Sequence, residues 1–231
     1  MVTQRPVLDE FLRRAPVTLG LATLSLIMAL GVGLPLGVAA GVAPATARRS
    51  ALARTVGAFG VSVPDFVLGT TLIFVLSVWS LWLKVGGFVP LGEDPVLNLR
   101  TMFLPAATLA VFGAALILRT TRDAVIRVMI EPFITAAVAR GERPSDIVRR
   151  HVIRNAAIPE LTVVITYFGF LLGGAVVVEV LFSIPGIGLY TYNGLKNRDY
   201  AIVQAGVLLA AGVFISISML ADRSTPSSIR G

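Results

Sequence analysis

Two carboxylates, Asp65 and Glu179, are the candidates for chemistry within apolar sequence, because each lies in a run otherwise free of charge. A carboxylate in hydrocarbon is costly enough to mark either a path for a polar solute or an internal partner. Glu179 could meet a peptide amino terminus or a metal ion, but a hydrogen bond to a helix end or an arginine is the stronger reading. Asp65 follows Pro64, where it could cap a helix that resumes after a break. His151 is the only histidine. It stands beside Arg149, Arg150 and Arg154, whose charge makes it a poor metal ligand and points to a loop hydrogen bond. No cysteine is present, which excludes disulfides, thiolate metal sites and cysteine nucleophiles. The sequence also lacks a GxxxxGK phosphate loop closed by Ser or Thr, so ATP cannot be bound by that route. These readings predict no catalytic residue, no metal site and no cofactor.

The elements that position these residues follow from hydropathy. Apolar residues make up 55% of the 231-residue chain and the mean hydropathy is +0.84, whereas a soluble domain has about 45–50%. Lipid is the expected solvent. The net charge of +7 does not indicate nucleic acid, since the cations lie between apolar runs and not on one face beside aromatic residues. Five stretches, 17–43, 55–83, 101–118, 161–182 and 201–221, approach or exceed the roughly 20 residues needed to cross a bilayer. The first far exceeds the apolar core of a secretory signal. Backbone pairing in hydrocarbon requires helices or a closed barrel, and the runs lack barrel alternation. The fold class is therefore all-α, a polytopic bundle of five membrane helices. Gly20, Gly31, Gly33, Gly37 and Gly41, with Gly169, Gly173 and Gly174, are expected on helix-packing faces.

Lys and Arg set the orientation. Segments 44–54, 119–160 and 222–231 carry 13 of them, and 1–16, 84–100 and 183–200 carry 7. The first set is assigned to the cytoplasm. That makes 1–16 an extracytoplasmic amino-terminal segment, 17–222 the membrane domain and 223–231 a cytoplasmic tail. Arg5, Arg13 and Arg14 run against this placement.

Segment 119–160 is long for a connection within a bundle, where about 2–8 residues are usual. Val125, Met129, Phe133 and Ala136 recur at helical spacing, as do Ile147, Val148, Val152 and Ala156. Gly141 separates the two pieces. Ser145 is a candidate N-cap for the second, Asp146 suits its positive end, and Pro159 is expected to open the next membrane helix. Two short amphipathic helices joined at a glycine could dock on a protein partner or lie on anionic lipid. Further along, Pro185, Gly186 and Gly188 should turn the chain at the outer surface, before Tyr190 and Tyr192 at the interface. That turn could form an outer gate or receive a solute-binding protein.

Thr135, Ala136 and Ala137 followed by Gly141, then Arg150, His151, Asn155 and Pro159, resemble the cytoplasmic coupling motif of ATP-binding cassette importer permeases. The likeness is to the first-permease type of the dipeptide, oligopeptide and nickel branch. It extends to Val176, Val177, Val178 and Glu179, to the run from Phe182 through Gly188, to Asn197 through Tyr200 and Gln204 through Gly206. Pro35 through Val38 and Ser62 through Pro64 also match. The resemblance implies the type I importer permease fold in a prokaryotic inner membrane, and transport of peptides, with nickel and glutathione as further candidates. It implies two ATPase subunits, a second homologous permease subunit and an extracytoplasmic solute-binding protein as partners, besides the lipid bilayer. It also implies that the coupling residues, with Glu142 and Arg143, fit a cleft on the ATPase, whose separate subunits hydrolyse ATP. This chain would be a transport subunit and not an enzyme.

Three departures stand out. The family's usual first helix and extracytoplasmic segment do not precede this sequence, so Met1 follows the usual start or the chain is shortened. Glu142 occupies a usually apolar position, which predicts weaker docking. Ser224 through Gly231 differ from the usual ending. The alternatives are a secondary transporter, which would need mid-membrane coupling charges, and an inactive truncated permease remnant.

Overall fold

The structure, a computed structural model, describes residues 6–44, 46–79 and 86–224. Among these residues every regular element is helical. In chain order they are α1 (Val7–Val42), α2 (Arg48–Ser62), α3 (Asp65–Trp79), α4 (Pro95–Met129), α5 (Pro132–Ala139), α6 (Pro144–Ile147), a π-helical turn (Val148–Val152), α7 (Ile153–Gly174), α8 (Val176–Leu181), α9 (Ile187–Lys196) and α10 (Tyr200–Ser224). Residues 225–231, and with them most of the tail and its unusual ending, lie outside the described residues, as does the end of the expected second span.

Four described helical runs are long and apolar enough to cross a membrane, and a fifth crossing results if α2 and α3 form one broken span. That pair bends by 96°. The cause is local: Val63 is extended ahead of Pro64, because the proline ring disfavours helical geometry in the preceding residue. Asp65 is the first residue of α3.

Several boundaries expected from hydropathy are corrected. Helix α1 starts at Val7, so most of the segment 1–16 is helical and continuous with the first span. Helix α4 continues eleven residues past the expected end of the third span at residue 118, to Met129. Arg119, Arg122 and Asp123 do not stop it, since charge ends a membrane segment but not a helix. At about 1.5 Å per residue its 35 residues reach about 52 Å, well beyond a hydrocarbon core of about 30 Å. The helix ends where Pro132 forces extended geometry on Glu131. Thus Val125 and Met129 lie on α4 and Phe133 and Ala136 on α5, and one expected amphipathic helix is two. Pro159 lies inside α7, so the membrane helix is entered continuously from the π-helical turn. The fourth span is interrupted at Ala175, with α8 beyond it.

Helices α1 and α4 form the central pair. Gly33, Gly37 and Gly41 face α4 one helical turn apart, and a Cβ on Gly37 would lie 2.6 Å from Thr121 Cβ and 2.9 Å from the Leu118 carbonyl oxygen. Such spacing lets two backbones approach where lipid supplies no hydrophobic drive. Gly169 meets Ile217 of α10, whereas a Cβ on Gly31 or Gly173 would meet no atom of the described chain within 4 Å. Around the pair, Leu21, Ala29, Leu109, Ile117, Leu171 and Val178 form the main core. The Tyr167 hydroxyl crosses to donate to the Leu109 carbonyl at 2.9 Å. A second cluster at one end joins Val125, Ile134, Ala137, Ile147, Val152 and Ala156. It roots the loop on α4 and α7.

Candidate functional site

The loop is built around α5. Ile134 and Ala137, three residues apart on one face, are buried in the second cluster, while Thr135, Ala136 and Val138 are exposed. After the C-cap Arg140, Gly141 takes φ +75°. The Glu142 amide donates to the Ala137 carbonyl at 3.2 Å and the Gly141 amide to Val138 at 2.9 Å. This pairing is a Schellman turn, whose left-handed position favours glycine. The second piece starts at Pro144 with Arg143 as its N-cap. Ser145 is therefore inside the helix and not its cap. Proline suits the first helical position because its φ is preset and no donor is lost there.

Glu142 turns back across the loop. Its Oε1 accepts from Arg140 Nη2 at 2.6 Å and its Oε2 lies 3.0 Å from His151 Nε2. The Arg140 guanidinium, followed by His151, holds the Glu142 carboxyl below the usual carboxylate value. Glu142 therefore stays charged at neutral pH, and its tie is lost only as pH falls through that lowered value. The His151 ring lies 6.4 Å from that of Phe133, and its carbonyl accepts from Asn155 Nδ2 at 2.7 Å. Ala137, Glu142 and His151 are thus brought together, while Arg143, Arg150 and Pro159 are exposed outside this contact.

At the other end, Glu179 is fully buried. Thr18 Oγ1 donates to Glu179 Oε1 at 2.7 Å and the Leu189 amide to Oε2 at 3.0 Å. The same Thr18 hydroxyl accepts from the Ile187 amide at 2.9 Å. The carboxylate and hydroxyl therefore satisfy two free donors in the first turn of α9. Gly186 and Gly188 make room: a Cβ on Gly186 would overlap the Glu179 carboxylate, and one on Gly188 would lie 2.6 Å from Val176 Cα. Pro185 offers its carbonyl to Arg14 Nη1 at 3.4 Å. The Arg14 guanidinium lies 4.8 Å from the Tyr190 ring centroid, and Phe11 packs edge-on against that ring.

One end therefore presents a small exposed helix on a rooted loop, and the other a buried polar lock between helices. The family described as the binding-protein-dependent transport system inner membrane component matches residues 33–226. The chain belongs to that family. This permease is 35% identical over 217 residues to the "Probable peptide ABC transporter permease protein y4tP" of Sinorhizobium fredii, covering 94% of this chain and 69% of that protein. It is 37% identical over 225 residues to the glutathione transport system permease protein GsiC of Escherichia coli K12, covering 96% of this chain and 70% of that protein. Among solved structures, a chain of the inward-facing MetNI methionine ABC transporter superposes with a TM-score of 0.69 at 19% identity. The match covers 97% of this chain and all of that one. The fold is that of a type I ABC importer permease.

The sequence reading named Glu179 beside the α8–α9 turn but missed Thr18, 161 residues away. It also missed Glu160, which is only 5% exposed. A charged residue directly between Pro159 and the apolar run at Leu161 was the available signal for the latter.

Proposed function

We propose that this permease carries peptides inward as part of an assembly with a second homologous permease, two ATPase subunits and an extracytoplasmic solute-binding protein. In this reading the segment from Thr135 through Pro159 is the coupling element, and Glu179, Pro185, Gly186 and Gly188 belong to the outer gate. The loop lies in the cytoplasm of a prokaryotic cell, the amino terminus outside and the carboxyl terminus inside. The observation that carries this reading is the two-sidedness of α5. Its inner residues are rooted in the cluster that holds α4 and α7, and its outer face of Thr135, Ala136 and Val138 is uncovered. A push on that face reaches two long helices directly. The substrate class rests on the names of the peptide and glutathione permeases to which the chain is similar.

Co-expression with the neighbouring transport genes tests the reading. ATPase subunits are expected to co-purify with the native chain and to be lost with Gly141→Asp. Gly141→Asn, which tolerates left-handed geometry better than most residues, should retain them. No recovery with the native loop would overturn the coupling assignment, and ATP-dependent uptake of a labelled dipeptide into vesicles tests the substrate class.

A further inference from the structure

Helix α2 meets α4 through small residues, and beside that contact the two helices bring arginines together. A Cβ on Gly60 would lie 2.6 Å from Ala115 Cβ, and one on Gly57 would lie 3.5 Å from Leu118 Cδ2. Next to them opens a groove of about 370 Å³, whose charged lining is Arg54 of α2 with Arg119, Arg122 and Asp123 of α4. Arg122 Nη1 donates to Asp123 Oδ1 at 2.9 Å and Nη2 to Ser50 Oγ at 3.4 Å, while its Nε is buried without a partner. A guanidinium has five donors, so Arg122 keeps donors for a further acceptor. Among the described residues, neither Arg54 nor Arg119 forms an ion pair. Three cations thus face one carboxylate, which leaves the groove positive.

The place of the groove along the bundle decides which anion fits it. Arg119 directly follows Leu118, the last residue of the charge-free run 101–118, so the arginines mark the level where hydrocarbon gives way to headgroups. On α4, Phe112, Leu116, Arg119 and Asp123 recur at spacings of four, three and four, which sets them on one stripe of the helix. Phe112 and Leu116 line a second groove, of about 340 Å³, whose α7 wall includes Val163, Tyr167 and Phe170. The stripe therefore runs from a basic head to an apolar trough. We infer that the arginine groove holds the phosphate of an anionic phospholipid, with an acyl chain lying along Leu116 and Phe112. Arginine forks match phosphate oxygens, and basic pockets between membrane helices suit anionic headgroups. The assignment does not rest on the peptide-import reading.

The test uses the full chain in phosphatidylcholine nanodiscs with a minor share of phosphatidylglycerol, and native mass spectrometry counts the lipids retained. The native chain should retain phosphatidylglycerol in excess of its share. Arg119→Gln should lower that enrichment about fivefold, the worth of one arginine near an anionic surface, and Arg54→Gln combined with it should abolish the enrichment. Both side chains are exposed, so these variants should fold. Arg119→Lys keeps the charge but loses the fork and should fall between native and Arg119→Gln, which keeps the test decisive if the double variant does not fold. Arg48→Gln removes the same charge from α2 outside the groove and should leave the enrichment unchanged. Equal losses with Arg48→Gln and Arg119→Gln would show general charge attraction and overturn the site. An enrichment that survives the double variant, or none in the native chain, would overturn it too. Saturable binding of inorganic phosphate in pure phosphatidylcholine discs, without phosphatidylglycerol enrichment, would overturn the lipid assignment in favour of a free anion.

Discussion

The loop between α4 and α7 and the turn between α8 and α9 use the same backbone device and the same kind of anchor in opposite surroundings. Each closes a short helix with a Schellman turn, at Gly141 after α5 and at Ser183 after α8, where Ile184 donates to the Glu179 carbonyl at 2.8 Å. Each also carries a carboxylate that fixes the chain nearby. Glu142 is partly exposed and held by charged or chargeable neighbours, Arg140 and His151. Glu179 is buried and held by a hydroxyl and a backbone amide. Water screens the first set, so removal of one member is tolerated. The second set has no water to fall back on, so removal leaves donors unsatisfied. A polar tie at the surface can be locally soft, whereas a buried lock between helices cannot.

The most severe way to break this comparison is at the carboxylates. Glu179→Leu should lower stability in detergent by about 2–4 kcal/mol, because the Thr18 hydroxyl and the Leu189 amide lose their acceptor in the core. Glu142→Ala should leave the thermal midpoint nearly unchanged. Equal losses of thermal stability in the two variants would erase the distinction.

Smaller effects are expected at the two glycines, for different reasons. Gly186 has φ −86°, which any residue adopts, but its Cβ position is occupied by the Glu179 carboxylate. Gly186→Ala should cost about 1–3 kcal/mol as overpacking. Gly141 has nothing within 4 Å of a Cβ yet sits at φ +75°, so Gly141→Ala should cost about 1–2 kcal/mol through backbone strain. Asparagine separates the mechanisms. It should recover much of the loss at position 141 and none at 186, as read by thermal unfolding.

What the sequence made legible follows the same division. Spans were visible because hydropathy is a property of consecutive residues, and the break at Pro64 and the turn at Gly141 because Pro and Gly act locally. The continuity of α4 past residue 118 was not legible because Arg119 and Arg122 interrupt hydropathy while leaving the helix intact. Of the partners of Glu179, the helix end was expected and is supplied by the Leu189 amide, but Thr18 was not legible, since it is an ordinary residue in an apolar run whose role depends on α1 lying beside α9. Glu160 escaped for a related reason: its burial against Thr120 is a fact of packing and not of spacing.

Ser183 provides the finest test of the comparison. It occupies the left-handed region at φ +54° with its side chain exposed, in the position that Gly141 fills at the other end. A non-glycine residue there carries about 1–2 kcal/mol of strain, part of which glycine returns through its greater freedom in the unfolded chain. Ser183→Gly should therefore raise stability by about 0.5–1 kcal/mol, with slower hydrogen exchange at the Ile184 amide that closes the turn. A gain confirms that the two turns are equivalent in backbone terms and differ only in residue choice. A loss would mean that the Ser183 side chain holds the α8–α9 turn in a way its exposed position does not suggest, and that turn would then be a contact site and not merely a bend.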